Sequence, residues 1–217
     1  MKNGDEKIKS PQYRNELVLS HFEENTTLLG PFNRFVIWVH GCCFDCYGCM
    51  ADSSRHGYRR TMCVQDLSDL ILSSNTEGIT ISGGEPFLQS KELKELVDVI
   101  RVRKNVGVIV YSGFTIEEVY KNDEYKEFLS SIDLLIDGRY VKELDDGQAY
   151  VGSSNQVFHY LTDRYIEEGK IYYSADKRRA EIKLTSHQAV LVGVPSAGVL
   201  LAWKEILRKT GGPIYDI

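Results

Sequence analysis

The 217-residue chain lacks a long apolar run, although 42% of its residues are hydrophobic. None of its apolar stretches approaches the roughly 20 consecutive residues that a membrane-spanning helix needs. The segment Met1 to Arg14 is polar and contains no apolar core of the kind found in secretion signals. We therefore predict a cytoplasmic protein without a membrane partner.

The chain also lacks an excess of positive charge, because its formal net charge is −5. Nucleic-acid-binding proteins need a basic field, so nucleic acid is not an expected partner. No internal repeat and no low-complexity segment is present. The length suits one domain with a well-buried core, and we predict a single domain over residues 1–217.

Cysteine is scarce and unevenly placed. Of five cysteines, four lie between Cys42 and Cys49, and the neighbours Cys42 and Cys43 are poorly placed for bridging. An odd number in one short segment is unlike the disulfide framework of a secreted protein. Reduced thiolates that bind a metal are the better interpretation.

The spacing of Cys42, Cys46 and Cys49 is typical of a 4Fe–4S cluster with three protein ligands, which leaves one iron open to an outside ligand. Cys43 is an alternative first ligand, since Cys43, Cys46 and Cys49 are evenly spaced; the motif favours Cys42. A zinc site would need a second cysteine pair or histidines, and none is evident. His40 borders the loop, and a packing role is favoured for its side chain over a role as a metal ligand.

Apolar runs alternate with helical patterns along the chain, which indicates an α/β fold with parallel strands and outer helices. The run FVIWV at Phe35–Val39 is apolar throughout, as in strands buried on both faces. Strands are predicted over Leu17–Ser20, Phe35–Val39, Ile79–Ile81, Val106–Tyr111, Ile132–Ile136 and Gln156–Leu161, and helices over Val64–Ser73, Lys91–Arg103 and, in one or two pieces, Ile116–Leu129.

These units are too few for an eight-fold barrel, so we predict a partial, open parallel β/α barrel. Its core covers residues 17–161, and residues 162–217 form a C-terminal extension. In the extension, Glu181–Leu184 and Ala189–Val192 are predicted strands joined by Thr185 to His187, and Val199–Arg208 is a predicted helix. Four polar or cysteine-rich loops follow the carboxyl ends of core strands, so we expect them to meet at one edge of the sheet.

The segments GCCFDCYGC, ISGGEP and LIDGRY resemble the radical S-adenosylmethionine superfamily. Within it, LLGPFNRFVIWVHGC and VGSSNQVFHYL resemble the activating proteins of anaerobic ribonucleotide reductases. The resemblance extends from about Leu17 to Leu161, and its motifs stand in the expected order.

The resemblance implies a role for each motif. Cys42, Cys46 and Cys49 would hold the cluster, and the methionine moiety of S-adenosylmethionine would bind its open iron. No side chain is predicted to be catalytic, because the radical arises on the cofactor. The residues implied to contact S-adenosylmethionine are Gly48, Cys49 and Met50 near the adenine, Gly83, Gly84 and Glu85 beside the methionine moiety, and Ser112, Gly113, Asp137 and Arg139 at the ribose hydroxyls or the carboxylate.

The implied activity is reductive cleavage of S-adenosylmethionine to methionine and a 5′-deoxyadenosyl radical, which then forms a glycyl radical on an anaerobic ribonucleotide reductase. A flavodoxin or ferredoxin would supply the electron. Two alternatives stay open from the sequence. One is a free-standing radical enzyme acting on a peptide or small molecule, with residues 162–217 as a lid; the other is a non-enzymatic iron–sulfur or zinc module.

Overall fold

The computed structural model describes residues 15–147, 150–174, 178–184 and 189–210. The predictions for Met1 to Arg14 and for the connection Thr185 to His187 lie outside the described residues. Within them, no helix combines the length and the apolar character that crossing a membrane requires.

The described part of the chain contains nine strands and seven α-helices. The strands are β1 (Glu16–Thr26), β2 (Arg34–Val39), β3 (Arg60–Cys63), β4 (Gly78–Gly83), β5 (Gly107–Tyr111), β6 (Leu134–Asp137), β7 (Val157–Tyr160), β8 (Ala180–Leu184) and β9 (Ala189–Gly193). The helices are α1 (Ser53–His56), α2 (Val64–Ser73), α3 (Ser90–Arg101), α4 (Ile116–Val119), α5 (Asp123–Leu129), α6 (Ile166–Tyr173) and α7 (Ala197–Thr210). Short 3₁₀ turns cover Pro86–Gln89, Lys142–Leu144 and Asp163–Tyr165.

Seven strands form one mixed sheet in the order β3-β1-β2-β4-β5-β6-β7. Strands β2, β4, β5 and β6 are mutually parallel, whereas β1 pairs antiparallel with both β2 and β3, and β7 pairs antiparallel with β6. The α/β prediction agrees with this architecture. The sheet is parallel only in its centre, because β1 reaches β2 through a loop too short for a crossover. The partial barrel stays a prediction.

Alternation along β2 separates two apolar layers. Phe35, Ile37 and Val39 face α2, α3 and α5, whose buried side chains complete the larger core. Val36 and Trp38 point to the opposite face and pack against Leu28 and Leu29. Both faces of the central strands are therefore covered, as the continuous apolar sequence of β2 predicts.

The C-terminal extension covers part of the second face. Strands β8 and β9 pair antiparallel, and Val190, Val192 and Val194 pack against the layer that contains Trp38. Helix α7 packs through Trp203 and Leu207 against Leu191. The extension is thus joined to the sheet by buried apolar contacts.

Three elements were absent from the sequence prediction: the four-residue helix α1, strand β3 and helix α6. Strand β3 has only four residues, RTMC, and none of them is fully buried, so it has no alternating apolar pattern. Helix α6, IEEGKIYY, carries Gly169 in its interior and lacks a clear apolar stripe. Strand β1 also extends past Ser20 to Thr26, with register shifts that break its alternation.

Candidate metal centre and cofactor site

The cysteine loop leaves the carboxyl end of β2 and folds over the ends of β4, β5 and β6. Cys42, Cys46 and Cys49 line a common cavity, whereas Cys43 is exposed and does not line it. We call this the cluster cavity. It is lined by Cys42, Phe44, Cys46, Cys49, Arg55, Ser82, Gly83, Gly84, Glu85, Tyr111, Ser112, Gly113, Gly138, Arg139, Tyr140 and Gln156. All four of the loops singled out in the sequence contribute to it.

Phe44 fixes the cysteine loop against the sheet edge. Its ring packs edge-on to Phe114, with 4.8 Å between the ring centroids, and the Arg139 guanidinium lies 4.5 Å from its centroid. A Cβ at Gly113 would come within 2.6 Å of the Phe44 ring, so glycine there makes room for the aromatic side chain. The sequence analysis missed Phe44, and its only signal is an aromatic residue between two candidate ligands.

Backbone hydrogen bonds shape the rest of the loop. The Phe44 N–H donates to Cys42 Sγ at 3.4 Å, and the Cys49 N–H donates to the Cys46 carbonyl at 3.1 Å. Arg55, which lines the cavity, pairs at 2.7 Å with the exposed carboxylate of Asp45, which does not line it. The three lining cysteines are therefore held in a turn rather than on an extended segment.

Gly83 and Gly84 bring the end of β4 into direct contact with the start of the cysteine loop. The Gly84 N–H donates to the Val39 carbonyl and the Glu85 N–H to the Gly41 carbonyl, each at 2.8 Å. A Cβ on Gly84 would lie 2.0 Å from the Gly41 carbonyl oxygen, and Gly83 has φ +102°. The resemblance implied that these glycines let the backbone approach the cofactor. In the structure they let the end of β4 approach the backbone of the cysteine loop.

We expect Gly84→Ala to displace the cysteine loop, because the added methyl group cannot fit beside the Gly41 carbonyl. Strain of this kind costs about 1–3 kcal/mol of unfolding free energy. The iron content after anaerobic reconstitution should fall together with the stability. Iron and sulfide analysis measures the first, and chemical denaturation measures the second. The matched control is Gly198→Ala in α7, where a Cβ would meet nothing within 4 Å. Equal iron content and equal unfolding free energy in the two variants would show that the contact between Gly84 and Gly41 does not position the cysteine loop.

Glu85 joins two of the loops from a fully buried position. One carboxylate oxygen accepts from the Phe87 N–H and the Ser112 hydroxyl, and the other accepts from the Gly113 N–H. Burial raises the pKa of Glu85 to about 7, since the loss of hydration outweighs these three hydrogen bonds. The carboxyl also lines the cluster cavity, where a bound cation would favour its ionised form.

The raised pKa of Glu85 predicts a pH-dependent stability in the cluster-free protein. The neutral form is favoured by the fold, so its contribution is complete below pH 4.5 and is lost as the pH rises through 7. Between pH 4.5 and pH 8, the unfolding free energy of the wild type should fall by up to about 3 kcal/mol relative to that of Glu85→Gln, which keeps the shape of the neutral side chain.

Comparison with the variant is necessary because the partly buried His21, whose pKa is lowered to about 4 by loss of hydration, changes the stability with the opposite sign in the same pH range. The measurement is denaturant unfolding of both proteins at pH 4.5, 6 and 8. A constant difference across these pH values would show that folding does not raise the pKa of Glu85.

Three of the predicted cofactor residues do not line the cluster cavity. Asp137 is buried, and its carboxylate accepts from the Ile116 N–H at 2.6 Å and lies 3.0 Å from His159 Nε2. It therefore binds the first residue of α4 and does not line the cavity, and its contact with the cofactor stays a prediction. Met50 lines a neighbouring cavity, and Gly48, with φ +77°, lies beside the Lys142 side chain.

The donor set of the cluster cavity fits an iron–sulfur cluster. Burial raises the pKa of the Cys42 thiol to about 11 and raises that of Cys49, so metal binding has to displace protons. Among the described residues, no three His, Cys, Asp or Glu side chains converge as ligands of a single metal ion. In a cluster, each thiolate binds a separate iron. Arg55, Glu85 and Arg139 add charges suited to a zwitterionic ligand.

Comparisons with known proteins agree with this donor set. The profile of a family described as "4Fe-4S single cluster domain" matches residues 28–159. Anaerobic ribonucleoside-triphosphate reductase-activating proteins are similar to the chain. That of Vibrio cholerae is 32% identical over 145 residues, which cover 61% of this chain and 91% of the relative. Those of Enterobacteria phage T4 and Escherichia coli K12 are each 31% identical, over 62% and 61% of this chain and 88% and 91% of the relatives.

A mixed α/β sheet that presents three cysteines at the carboxyl edge of its parallel strands defines an iron–sulfur protein with one cluster. The chain belongs to the 4Fe-4S single cluster domain family and, within it, to the anaerobic ribonucleoside-triphosphate reductase-activating proteins. The family profile ends at residue 159, before the C-terminal extension begins.

Proposed function

We propose that this chain is a radical S-adenosylmethionine enzyme that forms a glycyl radical on an anaerobic ribonucleotide reductase. One observation carries the proposal: three thiols and the charged side chains Arg55, Glu85 and Arg139 line one cavity in a member of this family. A closed four-cysteine site would transfer electrons only, whereas three thiolates leave one iron for a second ligand.

Five of the lining residues have separate tasks in this proposal. Cys42, Cys46 and Cys49 would hold the cluster, Glu85 would accept from the ammonium group of S-adenosylmethionine, and Arg139 would bind its carboxylate. When bound, the cluster and S-adenosylmethionine supply one electron and a 5′-deoxyadenosyl radical. No side chain has to transfer a proton, so the work of this chain is to bind, to orient and to exclude water.

The contacts of Arg139 support this assignment. It pairs with Glu118 at 2.8 Å while its guanidinium covers Phe44, so its position depends on the cysteine loop. Displacing Phe44 would therefore disturb the thiols and the anion-binding group together. The remaining partner in the proposal is a flavodoxin or ferredoxin that reduces the cluster.

The test combines the anaerobically reconstituted protein with S-adenosylmethionine, a low-potential reductant and the anaerobic reductase of the same organism. We expect methionine release and the electron paramagnetic resonance doublet of a glycyl radical. Omission of S-adenosylmethionine should remove both signals. Methionine release without any radical on the reductase would favour the free-standing enzyme, and the absence of both would refute the proposal.

A further inference from the structure

A buried arginine connects the C-terminal extension to the core. Arg178 precedes β8, and its side chain is only 5% exposed. Its guanidinium pairs with Asp145 Oδ1 at 2.7 Å and donates to the carbonyls of Val151 and Gly152 at 3.0 and 2.9 Å. The rigid fork of arginine can satisfy a carboxylate and backbone carbonyls at the same time. Arg178 therefore holds the extension to two separate points of the core.

Asp145 links Arg178 to Tyr140. The Tyr140 hydroxyl donates to Asp145 Oδ2 at 3.0 Å, while Oδ1 accepts from Arg178. Burial, followed by the nearby Asp145, raises the pKa of Tyr140 to about 12, so the hydroxyl keeps its proton. Burial opposes the ionisation of Asp145, but the hydrogen bond and charge of Arg178 outweigh it and lower the pKa of this carboxyl. The three side chains thus form a hydrogen-bonded chain with a charged acceptor at its centre, which strengthens both bonds.

The Tyr140 ring lies at the cluster cavity, beside two other chain segments. Tyr140 lines that cavity and directly follows Arg139 in the sequence. A Cβ on Gly152 would lie 2.9 Å from Tyr140 Cδ2, and a Cβ on Gly48 would lie 3.7 Å from Tyr140 Cε1. The ring thus lies beside both the cysteine loop and the backbone that Arg178 binds. Since Asp145 holds the hydroxyl, the ring cannot swing away without breaking a charge-assisted hydrogen bond.

Arg178 lies beyond residue 159, where the match to the family profile ends, whereas Asp145 and Tyr140 lie within the matched residues. A buried guanidinium is costly unless it is paired and hydrogen-bonded, and a buried ion pair is by itself weak evidence for a gain in stability. The contacts of Arg178 lead to a side chain that lines the cluster cavity. This connection favours a role in the site over a role in stability alone.

We propose that Arg178 is a positioning residue for the S-adenosylmethionine site, and that through Asp145 it fixes the Tyr140 ring as a wall of the cluster cavity. The proposal rests on the proposed function, which places S-adenosylmethionine in that cavity. It adds that the extension, which the family profile does not cover, shapes the cofactor site. An ion pair that only stabilised the fold would leave the cofactor affinity of the folded protein unchanged, so the two roles can be separated by experiment.

A double-mutant cycle tests whether Arg178 acts through Tyr140. The affinity for S-adenosylmethionine is measured by anaerobic isothermal titration calorimetry on the full-length, cluster-loaded protein before reduction, so that no cleavage occurs. Arg178→Gln and Tyr140→Phe should each weaken binding about 10-fold, because each removes a charge-assisted hydrogen bond from the chain. The double variant should also lose about 10-fold, since both changes release the same ring. Unchanged affinity in Arg178→Gln, or a loss of about 100-fold in the double variant, would overturn the proposal.

Fluorine NMR of the cluster-free protein labelled with 3-fluorotyrosine gives a readout that needs no cofactor. The resonance of Tyr140 is identified by its loss in Tyr140→Phe, and Arg178→Gln should shift it. Arg179→Gln, a change at the adjacent, exposed arginine, is the control in both experiments and should match the wild type. A Tyr140 resonance that stays in place in Arg178→Gln would overturn the proposal.

Arg178→Lys replaces Arg178→Gln if that variant does not fold. Lysine keeps the positive charge but lacks the fork that reaches a carboxylate and two carbonyls together. The affinity for S-adenosylmethionine and the Tyr140 resonance should therefore change in the same direction as in Arg178→Gln, by a smaller amount. No change in either quantity would overturn the proposal.

The role of Arg178 and the proposed function fail separately. Wild-type affinity in Arg178→Gln, together with a glycyl radical on the reductase, would overturn the role of Arg178 while the proposed function stands. If the wild type formed no glycyl radical, the proposed function would fail. The fluorine spectra of the cluster-free protein would then still decide whether Arg178 positions Tyr140.

Discussion

Replacing Cys42 by alanine is expected to abolish S-adenosylmethionine cleavage, with a loss of about 100-fold or more. Changes to groups that only support a metal ligand cost about 10–100-fold, so removal of a ligand should cost at least as much. Cys42 lines the cluster cavity together with Cys46 and Cys49, and its sulfur accepts the Phe44 N–H. Its loss would leave two thiolates, too few to hold the cluster. The measurement is iron content and methionine release after reconstitution.

Cys43→Ala is the matched control. Cys43 is the adjacent residue, also a cysteine, but it is exposed and does not line the cavity. Iron content and cleavage should stay within about twofold of the wild type, as for most exposed positions. If Cys43→Ala lost the cluster and Cys42→Ala kept it, the other cysteine spacing would be correct and the loop would have to rearrange on metal binding.

The second large effect is expected at Arg34, at the opposite end of the sheet. This guanidinium is completely buried and connects three elements: Nε donates to Thr80 Oγ1 at 2.6 Å, and Nη1 donates to Glu77 at 3.0 Å and to the Tyr165 hydroxyl at 2.8 Å. Nη2 reaches the Gly107 carbonyl at 3.2 Å. The planar fork of arginine satisfies these acceptors simultaneously.

Arg34→Ala should lower the unfolding free energy by about 3–5 kcal/mol, because it leaves a cavity and removes the donor from the buried Thr80 hydroxyl and the Gly107 carbonyl. For a chain of this size, that corresponds to a fall in Tm of roughly 10 °C. Arg34→Lys should recover only part of the loss, since an ammonium group lacks the fork. Thermal unfolding of the cluster-free protein measures both.

Arg103→Ala is the control for Arg34. Arg103 pairs with Asp69 at 2.9 Å, and both side chains are more than half exposed. Exposed pairs contribute about 0–1 kcal/mol, so the Tm should change little. A similar, small shift in both variants would show that the buried network is not important for stability.

The central strands and the position of the site were predictable from local sequence. FVIWV and the strand ending in Ser82-Gly83-Gly84 carry dense apolar runs and clear turn signals, and β2 and β4 indeed pair in parallel. Short elements such as β3 and α6 gave no such signal, because their conformation depends on tertiary contacts and not on a local apolar pattern. The order of loops at the sheet edge followed from the topology of parallel strands.

Within the site, the motif residues were found but their neighbours were not. Phe44 against Gly113 and Gly84 against Gly41 are contacts between segments distant in sequence, with no local pattern to indicate them. Asp137 shows the converse. Its position at the end of β6 suggested a ligand-binding role, which stays a prediction; in the structure the carboxylate accepts from the Ile116 N–H and lies beside His159. Position at a strand end does not determine where a side chain points.

The most direct test of the account is pulsed electron–nuclear double resonance of the reduced cluster with S-adenosylmethionine labelled with ¹⁵N in its amino group. The account predicts coupling between the cluster and the labelled nitrogen in the wild type and in Cys43→Ala. A reduced cluster without this coupling, with every iron bound by a protein side chain, would contradict the claim that three cysteines leave one iron open.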